Sequence, residues 1–262
     1  MNDPALTALQ KEIAEIGLLL WEKGWAERNA GNISVNITGL FDAPFCGDAQ
    51  ASVMFGRPYP ALANALILIS GTQTRMRHVA KNPAATTCLL QISPAADSAH
   101  IHNAENSALR PSSEFPAHLA IHEMQALRKD DSKVVIHTHP DELIALSHIP
   151  HFKDEATLNN MLWAMHPETA VVLPEGVGFV PYTTPGTDAL ADATVKTMTN
   201  HRVALWEKHG VVATGRSLDE AFDCIDTVAK SVSIFMKCRS IGYEPEGLTA
   251  QQLMELREAF GV

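Results

Sequence analysis

Between residues 4 and 23, apolar side chains recur at Leu9, Ile13, Ile16, Leu20 and Trp21, spacings that line up along one face of a helix. Gly24 ends that run. Ile33-Ser34-Val35-Asn36-Ile37 alternates with a period of two, as a half-buried strand does. Short apolar runs at 66–69 and 87–92 predict two buried strands. A helix is expected from the Ser112-Ser113-Glu114-Phe115-Pro116 segment to about Arg128, with hydroxyl residues where an N-cap belongs. A strand over 133–139 should be followed at Pro140 by a helix to about His148. Further helices are predicted over 155–165, 187–200, 218–239 and 250–260. Two apolar stretches surround the Pro174-Glu175-Gly176 turn, and residues 203–206 and 211–214 flank His209-Gly210 as strands or a tight turn. Residues 39–63, rich in Gly, Pro and Ala, predict an irregular excursion. The irregular alternation of strands and helices predicts one α/β domain over 1–262, a mainly antiparallel sheet flanked by helices.

Composition narrows the class. Of 262 residues, 46% are hydrophobic and 19% charged, enough for one well-buried core. The net charge of −10 argues against a nucleic-acid partner, because tracking a phosphate backbone needs clustered Lys and Arg. A small anionic substrate is still compatible, since a few backbone N–H groups suffice to hold a phosphate. Cys46, Cys88, Cys224 and Cys238 lie far apart without a CxxC pair, which predicts reduced thiols and not a disulfide framework. The first residues lack a basic start and apolar core, and no apolar run approaches a membrane span. A cytoplasmic protein without a membrane partner is the expectation.

The most informative stretch is Val134-Val135-Ile136-His137-Thr138-His139-Pro140. On a strand, His137 and His139 project from one face, and two such imidazoles can reach a single cation. Two half-buried histidines packed on a sheet would give the same pattern. A third ligand has to come from elsewhere, and His209 is the best candidate, at a turn beside a glycine that permits close approach. Two rival pairs exist: His100 and His102 form a second HxH, and His118 and His122 lie four apart on a predicted helix.

Taken in order, several segments resemble the class II aldolase/adducin family. They are Gly31-Asn32-Ile33-Ser34, Ile69-Ser70-Gly71-Thr72, Ser112-Ser113-Glu114-Phe115-Pro116-Ala117-His118, the His137–His139 pair with Pro140, and Lys208-His209-Gly210. Trp21 to Asn29, Leu173 to Gly178 and Pro185 to Asp188 resemble the branch acting on L-rhamnulose 1-phosphate. The resemblance implies one zinc ion per subunit on His137, His139 and His209, with Glu114 as catalytic acid/base. It places Asn29, Asn32, Ser70, Gly71, Ser112 and Ser113 at the substrate phosphate. Glu168 matches a catalytic carboxylate that reaches a neighbouring subunit's site, in a cyclic homotetramer. The implied reaction is cleavage of a phosphorylated ketose to dihydroxyacetone phosphate and L-lactaldehyde. L-Fuculose 1-phosphate cleavage, pentulose 5-phosphate epimerisation, metal-dependent hydrolysis and a non-catalytic adducin-like module are the alternatives. Thr72-Gln73 and Thr74-Arg75-Met76-Arg77 depart from the branch's pattern.

Overall fold

A computed structural model of the chain describes residues 3–41, 49–102 and 105–262. Asp3 starts the first helix: its carboxylate accepts from the N–H groups of Ala5 and Leu6, and Pro4 supplies a preset first turn. Helix α1 (Pro4–Glu22) buries Leu6, Ile13, Ile16 and Leu20, and Gly24 leaves it at φ 77°. Trp21, expected on the buried face, is exposed instead, and the Arg77 guanidinium lies 4.6 Å above its ring.

The chain continues through β1 (Asn32–Asn36), β2 (Ala51–Met54), β3 (Leu66–Ser70), the single turns α2 (Met76–Val79) and α3 (Pro83–Thr86), β4 (Thr87–Ile92) and β5 (Ser98–His102). Then come α4 (Phe115–Arg128), β6 (Val134–Thr138), α5 (Asp141–Ser147), α6 (Glu155–Met165) and α7 (Pro167–Val172). The last elements are β7 (Val177–Val180), α8 (Asp188–Met198), β8 (Val203–Trp206), β9 (Gly210–Gly215), α9 (Leu218–Ser240) and α10 (Ala250–Phe260).

Among the described residues the strands form one sheet in the order β2-β5-β4-β3-β1-β6-β9-β8-β7. Every neighbouring pair is antiparallel except β7 with β8. This is the expected α/β domain with a mainly antiparallel sheet. Two strands differ from expectation. β2 lies inside the segment read as irregular, and β5 contains His100 and His102. Both are short and partly polar, and they pair with each other at one end of the sheet, where half-exposure weakens the apolar signal. The stretch Pro167-Glu168-Thr169-Ala170-Val171-Val172 is helical despite its β-branched residues. The Thr169 hydroxyl bonds that of Ser231 in α9 at 2.7 Å, so tertiary packing overrides propensity there.

The pleat sorts side chains to two cores. Ile33, Val35, Val134, Ile136, Val211 and Ala213 face the layer containing α1, α5, α6 and α9. Ile67, Ile69, Val135, Ala204 and Val212 face α4 and α8. By the same alternation Asn32, Ser34 and His137 point to the α4 side. Cys88 and Cys224 are buried, Cys238 is half-buried, and none of the three forms a disulfide. Cys46 lies outside the described residues. No helix among the described residues is long and apolar enough to cross a membrane.

Candidate active site

β6, in the middle of the sheet, carries His137, and His139 follows its last residue. His137 sits across from Asn32 of β1 and Val212 of β9. The next residue, Thr138, and His139 both bond the carbonyl of Trp25, through Oγ1 at 2.7 Å and through N–H at 2.9 Å. Pro140 then opens α5, so the strand stops at the histidine pair.

His209 arrives from the β8–β9 hairpin, which Trp206 and Gly210 close. The turn is held on three sides. Lys208 adopts φ 61° while its N–H donates to Ser147 Oγ at 2.8 Å. Lys153 donates to Glu207 at 2.7 Å, and the same carboxylate accepts from Tyr182 N–H at 3.0 Å. Gly210 is required here, because a Cβ would stand 2.8 Å from the His139 ring and 3.1 Å from that of His137.

The three histidines offer ligand atoms that all lie within 4.8 Å of one another. Their outer nitrogens decide what the inner ones present. His137 Nδ1 faces the Val211 carbonyl at 2.9 Å, and His139 Nδ1 faces Glu27 Oε1 at 3.1 Å. Both partners only accept, so both Nδ1 atoms carry the proton. Burial holds His137 well below the ordinary histidine range, so its ring is neutral. The Nε2 lone pairs of His137 and His139 therefore face each other across 3.1 Å. That contact is repulsive unless a cation lies between them. Two nitrogens about 2.0–2.1 Å from one tetrahedral ion stand roughly 3.3 Å apart, so the spacing fits a divalent metal.

Glu114 completes the cluster. It occupies the N-cap position of α4 without capping it, and its N–H contacts Ser112 Oγ at 3.3 Å. The hydroxyl residues Ser112 and Ser113 thus lie two and one positions before the N-cap. Freed from capping, the carboxylate turns inward. Oε2 lies 3.2 Å from His137 Nε2, and Oε1 lies 3.0 Å from His209 Nε2. Asn32 Nδ2 donates to Oε2 at 2.7 Å. Burial opposes the charge, but the hydrogen bonds from His209 and Asn32 outweigh it and hold the carboxyl well below the usual range. Glu114 is ionised.

The remaining sequence candidates divide. Ser70 is buried beside the cluster, its Oγ accepting from Ile33 N–H at 3.1 Å. Gly71 bridges to Pro111, and the Ser112 N–H donates to the Ser70 carbonyl, so the two hydroxyl-rich segments lie together. Ser113 and Asn29 are exposed. The Asn32 amide is committed to Glu114 on one side and to His118 Nε2 on the other. Glu168 is exposed in the first turn of α7, and none of the bonds around the histidines includes it. Among the rival pairs, His118 and His122 both bond the Ser34 hydroxyl, and His100 contacts Ser52, at 3.2 Å. Neither pair belongs to a metal-binding group among the described residues. The sequence reading passed over Glu27, Trp206 and Ser34. Trp206 stacks on His209 with centroids 5.1 Å apart. Ser34 was accessible by period: it shares the Asn32 face of β1.

The sequence profile of the Class II Aldolase and Adducin N-terminal domain matches residues 11–236, most of the chain. The chain belongs to the class II aldolase and adducin family. Among its relatives, a rhamnulose-1-phosphate aldolase of Bacteroides thetaiotaomicron is 37% identical over all of this chain and 97% of that protein. A rhamnulose-1-phosphate aldolase of Yersinia pestis is 36% identical over 93% of this chain and 90% of its own length. The crystal structure of a sugar-phosphate aldolase from Thermotoga maritima superposes with a TM-score of 0.81 at 31% identity, covering 92% of this chain and 99% of that one. An L-fuculose 1-phosphate aldolase shares the fold, with a TM-score of 0.65 at 22% identity over 97% of each chain. In this family member every group gathered at the end of β6 falls within the matched residues.

Proposed function

We propose that this family member is a zinc-dependent lyase that cleaves L-rhamnulose 1-phosphate to dihydroxyacetone phosphate and L-lactaldehyde. The observation carrying the proposal is the pairing of three convergent imidazoles with an ionised, buried Glu114. The named relatives at 36–37% identity favour this ketose. His137, His139 and His209 would hold the zinc, which imidazole nitrogens suit. When bound, it supplies a Lewis acid for the negative charge that collects on the ketose oxygens.

The chain's own groups account for the proton balance. As the C3–C4 bond breaks, the C4 hydroxyl loses its proton, C4 becomes the aldehyde carbon, and the electron pair passes to C3. Glu114, ionised in the resting site, takes that proton and returns it to C3. One carboxylate thereby closes the cycle, with no lysine adduct required. Asn32 holds Oε2 while Oε1 stays beside His209, so the carboxylate is presented in one orientation. For the phosphate, the paired segments around Ser70-Gly71 and Ser112-Ser113 are assigned, with Asn29 at their rim; Asn32, whose amide is bonded on both sides, is assigned to Glu114 instead.

Glu168 is assigned to the site of a neighbouring copy, which requires an oligomer, and a cyclic homotetramer is the arrangement proposed. A cytoplasmic location agrees with the chemistry. The experiment is a side-by-side assay of L-rhamnulose 1-phosphate and L-fuculose 1-phosphate, coupled to dihydroxyacetone phosphate detection. Faster turnover of the former supports the substrate assignment. Preference for the latter, or release of inorganic phosphate, sinks it.

A further inference from the structure

Beneath Glu114, a file of polar side chains runs through the core between β1 and α4. Its members are Asn32, His118, Ser34, His122 and Gln125, and all five are buried. None of them was placed in the reaction apart from Asn32. Their hydrogen-bond directions follow from one end. The Glu114 carboxylate only accepts, so Asn32 must present its NH2 to it, as the 2.7 Å contact shows. The Asn32 carbonyl oxygen then accepts from His118 Nε2–H. A neutral His118 consequently accepts at Nδ1, and Ser34 Oγ–H donates to it at 2.7 Å. The Ser34 oxygen in turn accepts from His122 Nε2–H at 2.8 Å.

The far end supplies an independent sign. With its proton on Nε2, His122 offers a lone pair at Nδ1, 3.2 Å from the Gln125 side-chain amide. The Gln125 amide nitrogen is buried and has no other partner. Turning that amide through half a circle gives the nitrogen its acceptor and completes the file. Every member is then satisfied in one direction only, as a fully connected buried network requires.

We propose that His118, locked by Ser34 and His122, is a positioning residue that fixes the Asn32 amide and through it the orientation of the Glu114 carboxylate. Without the His118 donor, the Asn32 amide is free to rotate and present its oxygen to the carboxylate, which repels it. The inference rests on the lyase reading for its kinetic consequence, but the geometry of the file does not depend on that reading.

The test uses the full-length, zinc-loaded protein for kinetics and the metal-free protein for spectroscopy. His118→Leu is expected to lower kcat at least tenfold with KM changed less than twofold. His118→Gln, which can still donate to Asn32, is expected to recover most of the loss. In an Asn32→Ala background, His118→Leu should cost less than a further twofold. Additive losses, or equal damage from Leu and Gln, overturn the proposal. Side-chain 15N spectra of the unsubstituted metal-free protein should show His118 and His122 neutral, each with its proton on Nε2. A proton on Nδ1 of either ring overturns it whatever the kinetics. If the unsubstituted protein cleaves no ketose phosphate, the lyase reading fails while the 15N spectra still decide the file.

Discussion

Glu27 Oε1 accepts from His139 Nδ1 at 3.1 Å, although the carboxylate is two-thirds exposed. The contact keeps the His139 proton on Nδ1 and turns Nε2 toward His137. Partners of this kind typically contribute 10–100-fold to metal affinity, and the exposure here points to the lower end. Glu27→Ala is expected to weaken zinc binding roughly tenfold, measured by competition with a chelator of known affinity. Unchanged affinity would show that the His139 ring is held by other means.

Gly210 brings the β8–β9 hairpin against β6 so closely that a methyl group meets the rings of His137 and His139 and the Thr138 carbonyl. Gly210→Ala is therefore expected to retain the fold, by far-ultraviolet circular dichroism, and to bind well under one zinc per chain. Full metal occupancy would contradict the assignment of His209 as a ligand.

Among the described residues, Glu114 is the one carboxylate in contact with two of the three histidines. Glu114→Gln keeps the shape and the hydrogen bonding but cannot take a proton. A loss of kcat of about 10²–10⁴-fold is expected, with the protein still binding metal. A loss below tenfold would move the proton transfers to another group.

Stability should also depend on pH through the buried file. Burial pushes His118 down to about 4 and His122 down to about 3. Between those values and the ordinary value near 6.5, the unfolded chain binds protons that the folded chain does not. The stability is fully present above about 6.5 and is lost as pH falls toward 4. Each unit of depression corresponds to about 1.4 kcal/mol. The urea midpoint should fall between about pH 7 and about pH 5, and His122→Gln should flatten that slope. An unaltered slope in the variant would assign the acid sensitivity elsewhere.

The sequence carried most of this architecture where an apolar run is buried, as β6 is throughout. The β6 strand, its abrupt end at Pro140 and the position of His209 beside Gly210 all follow from local pattern. What it obscured were relations across the fold. Ser52, Ser98 and His100 mask β2, the edge strand, and β5 beside it, because strands half-exposed at the end of a sheet need few apolar residues. Ser112 and Ser113 look like caps, yet Glu114 takes the cap position and spends its carboxylate on the histidines. His118 and His122 have the spacing of a metal pair. Only the placement of β1 against α4 shows that the Ser34 hydroxyl occupies the point where an ion would have to be.

The most direct measurement is cleavage of L-rhamnulose 1-phosphate by the purified protein, before chelation, after it, and after zinc is restored. Dihydroxyacetone phosphate formation should disappear with the metal and return with zinc. Cleavage that persists in fully metal-free protein, or its absence in folded, zinc-loaded protein, would contradict the account.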